Sequence, residues 1–159
     1  MKIRKATKKD IPYIIEFWKE LIACHRKNFW RSSELFRYKK NSVSLVKKYL
    51  TKLLRARNGR LFVADMDGKI VGYAEVSIKK LPPIHVHDRE AYVGVIFVDG
   101  LYRRKGIGTM LLKEAEKWAK GKGVFSLALT VFYKNKSAYV AYRKFGFREH
   151  NLKMSKVVG

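Results

Sequence analysis

The chain has 159 residues, 47% of them hydrophobic, enough for one compact domain with a real core. Its 36 Lys and Arg stand against 13 Asp and Glu, a formal charge of +23. Such a balance points to polyanionic surroundings rather than to the mixed Glu and Lys networks of heat adaptation. No apolar run is long enough to span a bilayer, no leader-like apolar region follows Met1, and a lone Cys24 permits no internal disulfide, so a cytoplasmic setting is expected. Without a Pro/Gly/Ser tract or repeat, a single domain over residues 1–159 is expected.

Ile3 to Ala6 reads as a first strand. Asp10 is expected to cap a helix whose Ile11, Ile14, Ile15, Trp18, Leu21 and Ile22 recur at helical spacing, with Pro12 tolerated near its start. A basic stretch from Arg26 to Lys40 leads to a second helix. Its apolar stripe is Val43, Val46, Leu50, Leu53 and Leu54, and Lys47, Lys48, Lys52 and Arg55 face outward. Leu61 to Asp65 and Ile70 to Ile78 form a hairpin across Asp67-Gly68. After Pro82-Pro83 a strand resumes near Glu90 and runs to Val98, its last half an apolar run. A third amphipathic helix carries Ile107, Leu111, Ala115, Trp118 and Ala119 on one face and Lys113, Glu116, Lys117 and Lys120 on the other, ending at Gly121 to Gly123. Phe125 to Val131 reads as a strand, Asn135 to Phe145 as a short helix, and Phe147 to Val157 as a last strand.

Between the strand ending at Val98 and the third helix lies Arg103-Arg104-Lys105-Gly106-Ile107-Gly108-Thr109. Two glycines bare the main chain where a helix begins. Unpaired N–H groups of the first turn, the helix dipole and three adjacent cations together suit a pyrophosphate. The nucleotide-hydrolase P-loop is excluded because Lys105 precedes the glycine instead of following it, and the dinucleotide fingerprint because Leu111 stands where a third small residue is needed. Arg-x-x-Gly-x-Gly after a buried strand resembles the coenzyme A loop of the GNAT family of N-acetyltransferases. Downstream, Asn135 to Phe147 is similar to that family's second signature, Asn-x-x-Ala-x-x-x-Tyr-x-x-x-Gly-Phe. Ile3 to Ala6 and the following helix start resemble its opening.

The resemblance implies an α/β fold with a central, mostly antiparallel mixed sheet flanked by helices on both faces. It implies acetyl-CoA as cosubstrate and a primary amine as acceptor, attacked directly in a ternary complex. Arg103, Arg104, Lys105, Gly106, Ile107, Gly108 and Thr109 would wrap the pyrophosphate, mostly through N–H groups. Val98 would offer backbone groups to the pantetheine, which can add to a strand edge. Asn135 can cap its helix or bond the pantetheine arm. Tyr142, in the signature's tyrosine position, would protonate the departing thiolate, since a phenol with a reference pKa near 10 keeps its proton at neutral pH; packing in the core is its other role. The family's frequent carboxylate base on the central strand falls on Tyr92 when counted back from Arg103. Glu90 lies two residues earlier on the same face and is the candidate base, with a solvated strand-end charge as its alternative; Glu75 is on the neighbouring strand.

His85-Val86-His87-Asp88 lacks further ligands to complete a metal set and reads as a loop near the substrate mouth, so no metal is expected. Cys24 and His25 point about 100° apart on a helix, which leaves the cysteine as a core filler. The acceptor is expected to be acidic, or carried on a protein or ribosome, to suit the charge. A contrasting function is a basic RNA- or ribosome-binding module with a silent acetyltransferase fold, in which Phe29, Trp30, Phe36 and Tyr38, set among basic residues, stack on bases without sequence preference.

Overall fold

The computed structural model describes residues 1–28 and 37–156. In chain order the elements are β1 (Lys2–Lys5), α1 (Ile11–Asn28), α2 (Ser42–Arg55), β2 (Gly59–Met66), β3 (Lys69–Lys80), β4 (Arg89–Val98), α3 (Ile107–Lys120), β5 (Leu127–Leu129) and α4 (Lys136–Phe145). The strands form one sheet in the order β1-β2-β3-β4-β5. The first three pairings are antiparallel and β4 to β5 is parallel, as the mixed sheet was expected to be. Asp67 (φ +52°) and Gly68 (φ +92°) turn the β2–β3 hairpin, both in the left-handed region whose twist matches the flanking strands.

Alternation along the strands sorts the core into two layers. Leu61, Val63, Tyr73 and Phe97 face α1 and α2, meeting Ile14, Phe17, Leu50 and Leu53. Phe62, Ala64, Ala74, Val76, Ala91 and Val93 face the opposite side, against Ile107, Leu111, Leu112, Ala115 and Ala119 of α3, with Tyr142 and Phe145 of α4 at the margin. Helices therefore cover both faces. Gly72 permits the β3–β4 approach, because a Cβ there would lie 2.7 Å from the Phe97 carbonyl. The β3–β4 register shifts between Glu75 and Val76, pairing Glu75 with Val95 and Val76 with Val93, so Gly94 is the extra residue of a bulge on β4.

Several expectations are corrected. Asp10 is not the N-cap residue of α1: it ends a single 3₁₀ turn, Lys8–Asp10, that follows Thr7 and runs directly into the helix, and its carboxylate closes a capping box on Thr7 N. Asp10 is 3% exposed, and its carboxylate accepts from Thr7 N (2.7 Å) and from both terminal nitrogens of Arg4 (2.8 Å). Arg4 Nε donates to Asp65 at 2.7 Å, so one guanidinium ties β1, β2 and the start of α1 together. Cys24 is exposed rather than a core filler, its sulfur accepting from Asn28 Nδ2 at 3.3 Å on the outer face of α1. β5 is limited to Leu127–Leu129, and Phe125 is 75% exposed. Residues 147–156 form no strand; Glu149 instead accepts from Tyr139 and from Arg143 (2.9 Å) of α4, and β5 is only three residues long. Val157, and the aromatics Phe29, Trp30 and Phe36, lie outside the described residues. Tyr38 packs edge-on against Trp18, 5.7 Å between ring centroids.

Candidate active site

The turn after β4 is built to start a helix in the open. The Asp99 side chain accepts from Leu101 N (2.9 Å), closing one 3₁₀ turn over Gly100–Tyr102. Arg104 (φ +61°) and Gly106 (φ +77°) then both adopt the left-handed region, which reverses the chain and delivers Ile107 as the first helical residue. A non-glycine residue in that region costs about 1–2 kcal/mol, strain that the loop carries at Arg104. Ile107 is 1% exposed and anchors the loop in the core, so its backbone N–H is what it can offer a ligand. A Cβ at Gly106 or Gly108 would meet nothing within 4 Å, and Thr109 is exposed, so the first-turn N–H groups face free space. That geometry fits a diphosphate.

Positive charge rings the same turn. Lys105 and Lys69 ammonium groups lie 5.3 Å and 5.2 Å from the Tyr102 ring centroid, and the Arg103 guanidinium lies 5.7 Å from that of Phe97. Arg103 Nε donates to the Val98 carbonyl at 2.9 Å, folding the loop back onto the strand end. The Val98 oxygen is therefore already engaged, a contact that spacing alone does not reveal.

Beside the loop the sheet opens. β5 pairs with β4 only over Ala91, Tyr92 and Val93. From the Gly94 bulge to Val98 the β5 side of β4 has no partner strand among the described residues, leaving an edge that an extended amide chain can join. The gap runs from the α3 loop to mid-strand. Asn135, at the start of α4, spends its side-chain oxygen on capping, accepting from Ala138 N (3.3 Å) and Ser137 Oγ (3.2 Å). Tyr142 is half-buried against the α3 layer and meets Phe147 edge-on at 5.9 Å. Burial raises its pKa, so the hydroxyl stays protonated at neutral pH.

The carboxylates separate by position. Glu90 is half-buried at the start of β4, paired across to Lys79. Four residues, about 13 Å along a strand, divide it from the bulge. Tyr92 donates its hydroxyl to Thr130 Oγ1 (2.9 Å) beneath the Lys79 ammonium, 3.0 Å from its ring centroid. Glu75, by contrast, sits on β3 against the bulge: a Cβ on Gly94 would lie 2.9 Å from its Oε1. The Tyr49 hydroxyl of α2 donates to that same oxygen. Burial pushes the Glu75 carboxyl above the usual carboxylate range, against the opposing pull of the Tyr49 hydrogen bond and the Lys79 charge. A lone carboxylate in the apolar run Ile70-Val71-Gly72-Tyr73-Ala74-Glu75-Val76 was the signal for it. Among the described residues no group of three His, Cys, Asp or Glu could hold a metal ion.

A family model described as the acetyltransferase (GNAT) family matches residues 15–147. An uncharacterised N-acetyltransferase of Methanocaldococcus jannaschii is 30% identical over 148 residues, 92% of this chain and 60% of that protein. An aminoglycoside N(6')-acetyltransferase of Klebsiella aerogenes is 36% identical over 95 residues, 56% of this chain and 59% of that protein. The chain thus spans about 60% of the length of these curated relatives. A crystal structure of a predicted acetyltransferase of Clostridium acetobutylicum with acetyl-CoA shares the fold at a TM-score of 0.79 and 19% identity, covering 98% of this chain and 95% of that one.

Proposed function

The chain belongs to the acetyltransferase (GNAT) family, and on that premise we propose that it transfers the acetyl group of acetyl-CoA to a primary amine by direct attack in a ternary complex. One observation carries this: the open first turn of α3 leads, along a β4 edge that no strand of the described residues pairs beyond Val93, to a bulge at Gly94. Acetyl-CoA supplies the activated acyl group. The chain supplies its grip and its proton traffic.

Backbone N–H groups from Gly106 to Thr109 hold the diphosphate, with Arg103, Arg104 and Lys105 providing the surrounding positive field. The β4 edge ending at Val98 aligns the pantetheine, and Asn135 fixes the first turn of α4 beside it. Tyr142 holds the proton that the departing thiolate takes. Tyr142 packs on the α3 side of the sheet and Glu75 lies on the α1–α2 side, which supports an acid and a base working from opposite faces. Glu90 is set aside as base because it lies too far along β4 from the bulge. The strong basic field draws in an acceptor carried on an acidic body, and a cytoplasmic site of action accords with that.

The test is a thermal-shift titration with acetyl-CoA, followed by thiol release with a panel of primary amines. At a ligand concentration 100 times Kd, stabilisation of about 2.7 kcal/mol is expected, which for a chain this size raises Tm by roughly 5–10 °C. Salt-sensitive RNA binding without any such shift would overturn the enzyme in favour of a binding module.

A further inference from the structure

Resting on the acetyl-transfer function above, we infer that Glu75, fixed by Tyr49 at the Gly94 bulge, seats the acceptor as an alkylammonium ion and takes its proton before attack. The acceptor class is then an amine of lysine-like basicity, charged at neutral pH, and not an α-amino group that is already partly neutral.

The first support is position. A side chain at Gly94 would collide with the Glu75 carboxylate, at 2.9 Å, so the glycine is what lets that carboxylate rest on the bulge beside the open β4 edge. The bulge is where the unpaired edge begins, four residues before Val98. An amine held there attacks along the gap.

The second support is the surroundings. From α2, Tyr49 donates to Oε1, and at 47% exposure its ring reaches solvent, so the carboxylate sits at a mouth and not in a sealed core. On β3 itself Tyr73 lies to one side, 1% exposed, with Phe17 of α1 stacked on it at 6.4 Å; Lys79 lies to the other, its ammonium already placed on the Tyr92 ring. β4 presents Val95 opposite Glu75. No cation of the described residues forms a salt bridge with Glu75. Among the described residues this half-buried carboxylate has no salt-bridged cation, in a chain of charge +23, and its charge suits a cationic acceptor.

The proton count closes. The acceptor arrives as R–NH₃⁺ and gives one proton to Glu75, leaving the nitrogen lone pair to form the C–N bond as the C–S bond breaks. The thiolate takes its proton from Tyr142. The second nitrogen proton returns to Tyr142 through solvent, and the Glu75 proton is released to water, so one amide, one thiol and one H⁺ result.

The experiment needs no identified acceptor. Calorimetry compares S-(3-aminopropyl)-coenzyme A, which places an ammonium just beyond the sulfur, with S-butyl-coenzyme A, its neutral isostere. At pH 8 the ammonium form is expected to bind at least 10-fold tighter. Glu75→Gln should erase that preference while S-butyl-coenzyme A still binds, which shows the site intact; Glu90→Gln should keep it. The preference should fade as pH falls through the Glu75 titration, and Tyr49→Phe should move that midpoint upward, because the lost hydrogen bond had favoured the carboxylate. Equal binding of the two compounds, or a preference that survives Glu75→Gln, overturns the inference and leaves acetyl transfer standing. Failure of both compounds to bind overturns the cofactor cradle itself.

Discussion

Gly106 allows charge and shape to be separated at the proposed diphosphate cradle. Its φ of +77° is a conformation that Asn and Asp tolerate better than other side chains, and a Cβ there meets no protein atom within 4 Å. Gly106→Asn and Gly106→Asp should therefore fold alike, each losing about 1 kcal/mol to strain and so roughly 2–4 °C in Tm. They differ by one negative charge at the helix mouth. At about 5 Å from a phosphate and an effective dielectric near 20, that charge costs about 3 kcal/mol, roughly a 100-fold loss of affinity. Calorimetry with acetyl-CoA should give Gly106→Asp a Kd at least that much weaker than Gly106→Asn, with the difference shrinking as salt is raised. Equal affinities for the two variants would refute an anion site at the front of α3.

Tyr142→Phe should lower turnover by about 10²–10⁴-fold while acetyl-CoA affinity holds, as loss of a general acid requires; unchanged kcat in thiol release removes the role. Asp10→Ala should cost about 2 kcal/mol in urea unfolding at pH 7, less than a fully buried pair because solvent reaches Arg4, whose side chain is 29% exposed. Arg4 depresses the Asp10 pKa, so this stability is complete above the unfolded value near 4 and is lost as pH falls below it, and wild type and variant should converge in acid. Glu75 titrates the other way: its raised pKa makes the wild type lose stability as pH rises past the unfolded value, so Glu75→Gln should be the more stable protein at pH 8 and equal near pH 4. Cys24 should react with an aromatic disulfide reagent at the rate of a free thiol, and a requirement for denaturant would contradict its exposure.

The start of α3, where the cradle is proposed, was legible in the sequence because everything it needs is local. A buried strand, two glycines and the periodic stripe Ile107, Leu111, Ala115 and Ala119 fix a helix start within one short segment. Asn135 and Gly146 likewise bracket α4, the first accepting from Ala138 N and the second ending the helix at φ +114°. What could not be read depends on register between distant segments. Gly94 looks like any strand residue until the β3–β4 pairing slips by one. Tyr49 and Glu75 are 26 residues apart and meet only because α2 packs across the sheet. Asp10 reads as a helix cap, but that Arg4, carried in by β1, also binds its carboxylate depends on pairing between distant segments. The tail follows the same rule: Phe147 onward has β-forming residues, but β5 is three residues long and Glu149 binds α4 instead.

A site that recognises its acceptor by charge also has a means of letting the product go. In the proposed base role, Glu75 before transfer is a carboxylate facing an ammonium ion, an attraction that the half-buried setting strengthens over its value in water. Acetylation replaces the ammonium by a neutral amide, and the same event leaves the carboxyl protonated, so both halves of the ion pair vanish together. The raised pKa of Glu75 keeps that protonated state low enough in energy to form, while the exposed edge of Tyr49 gives the proton a short way to water. Once it leaves, the carboxylate is restored and ready for the next cation. On this scheme product release is slowest where Glu75 stays charged throughout, and an acceptor analogue that remains cationic after reaction, such as a diamine acetylated at one end, should leave more slowly than a monoamine of equal length. Rapid-quench measurement of a burst followed by slower turnover, present for the diamine and absent for the monoamine, is the outcome this charge logic requires, and a burst of equal size for both would break it.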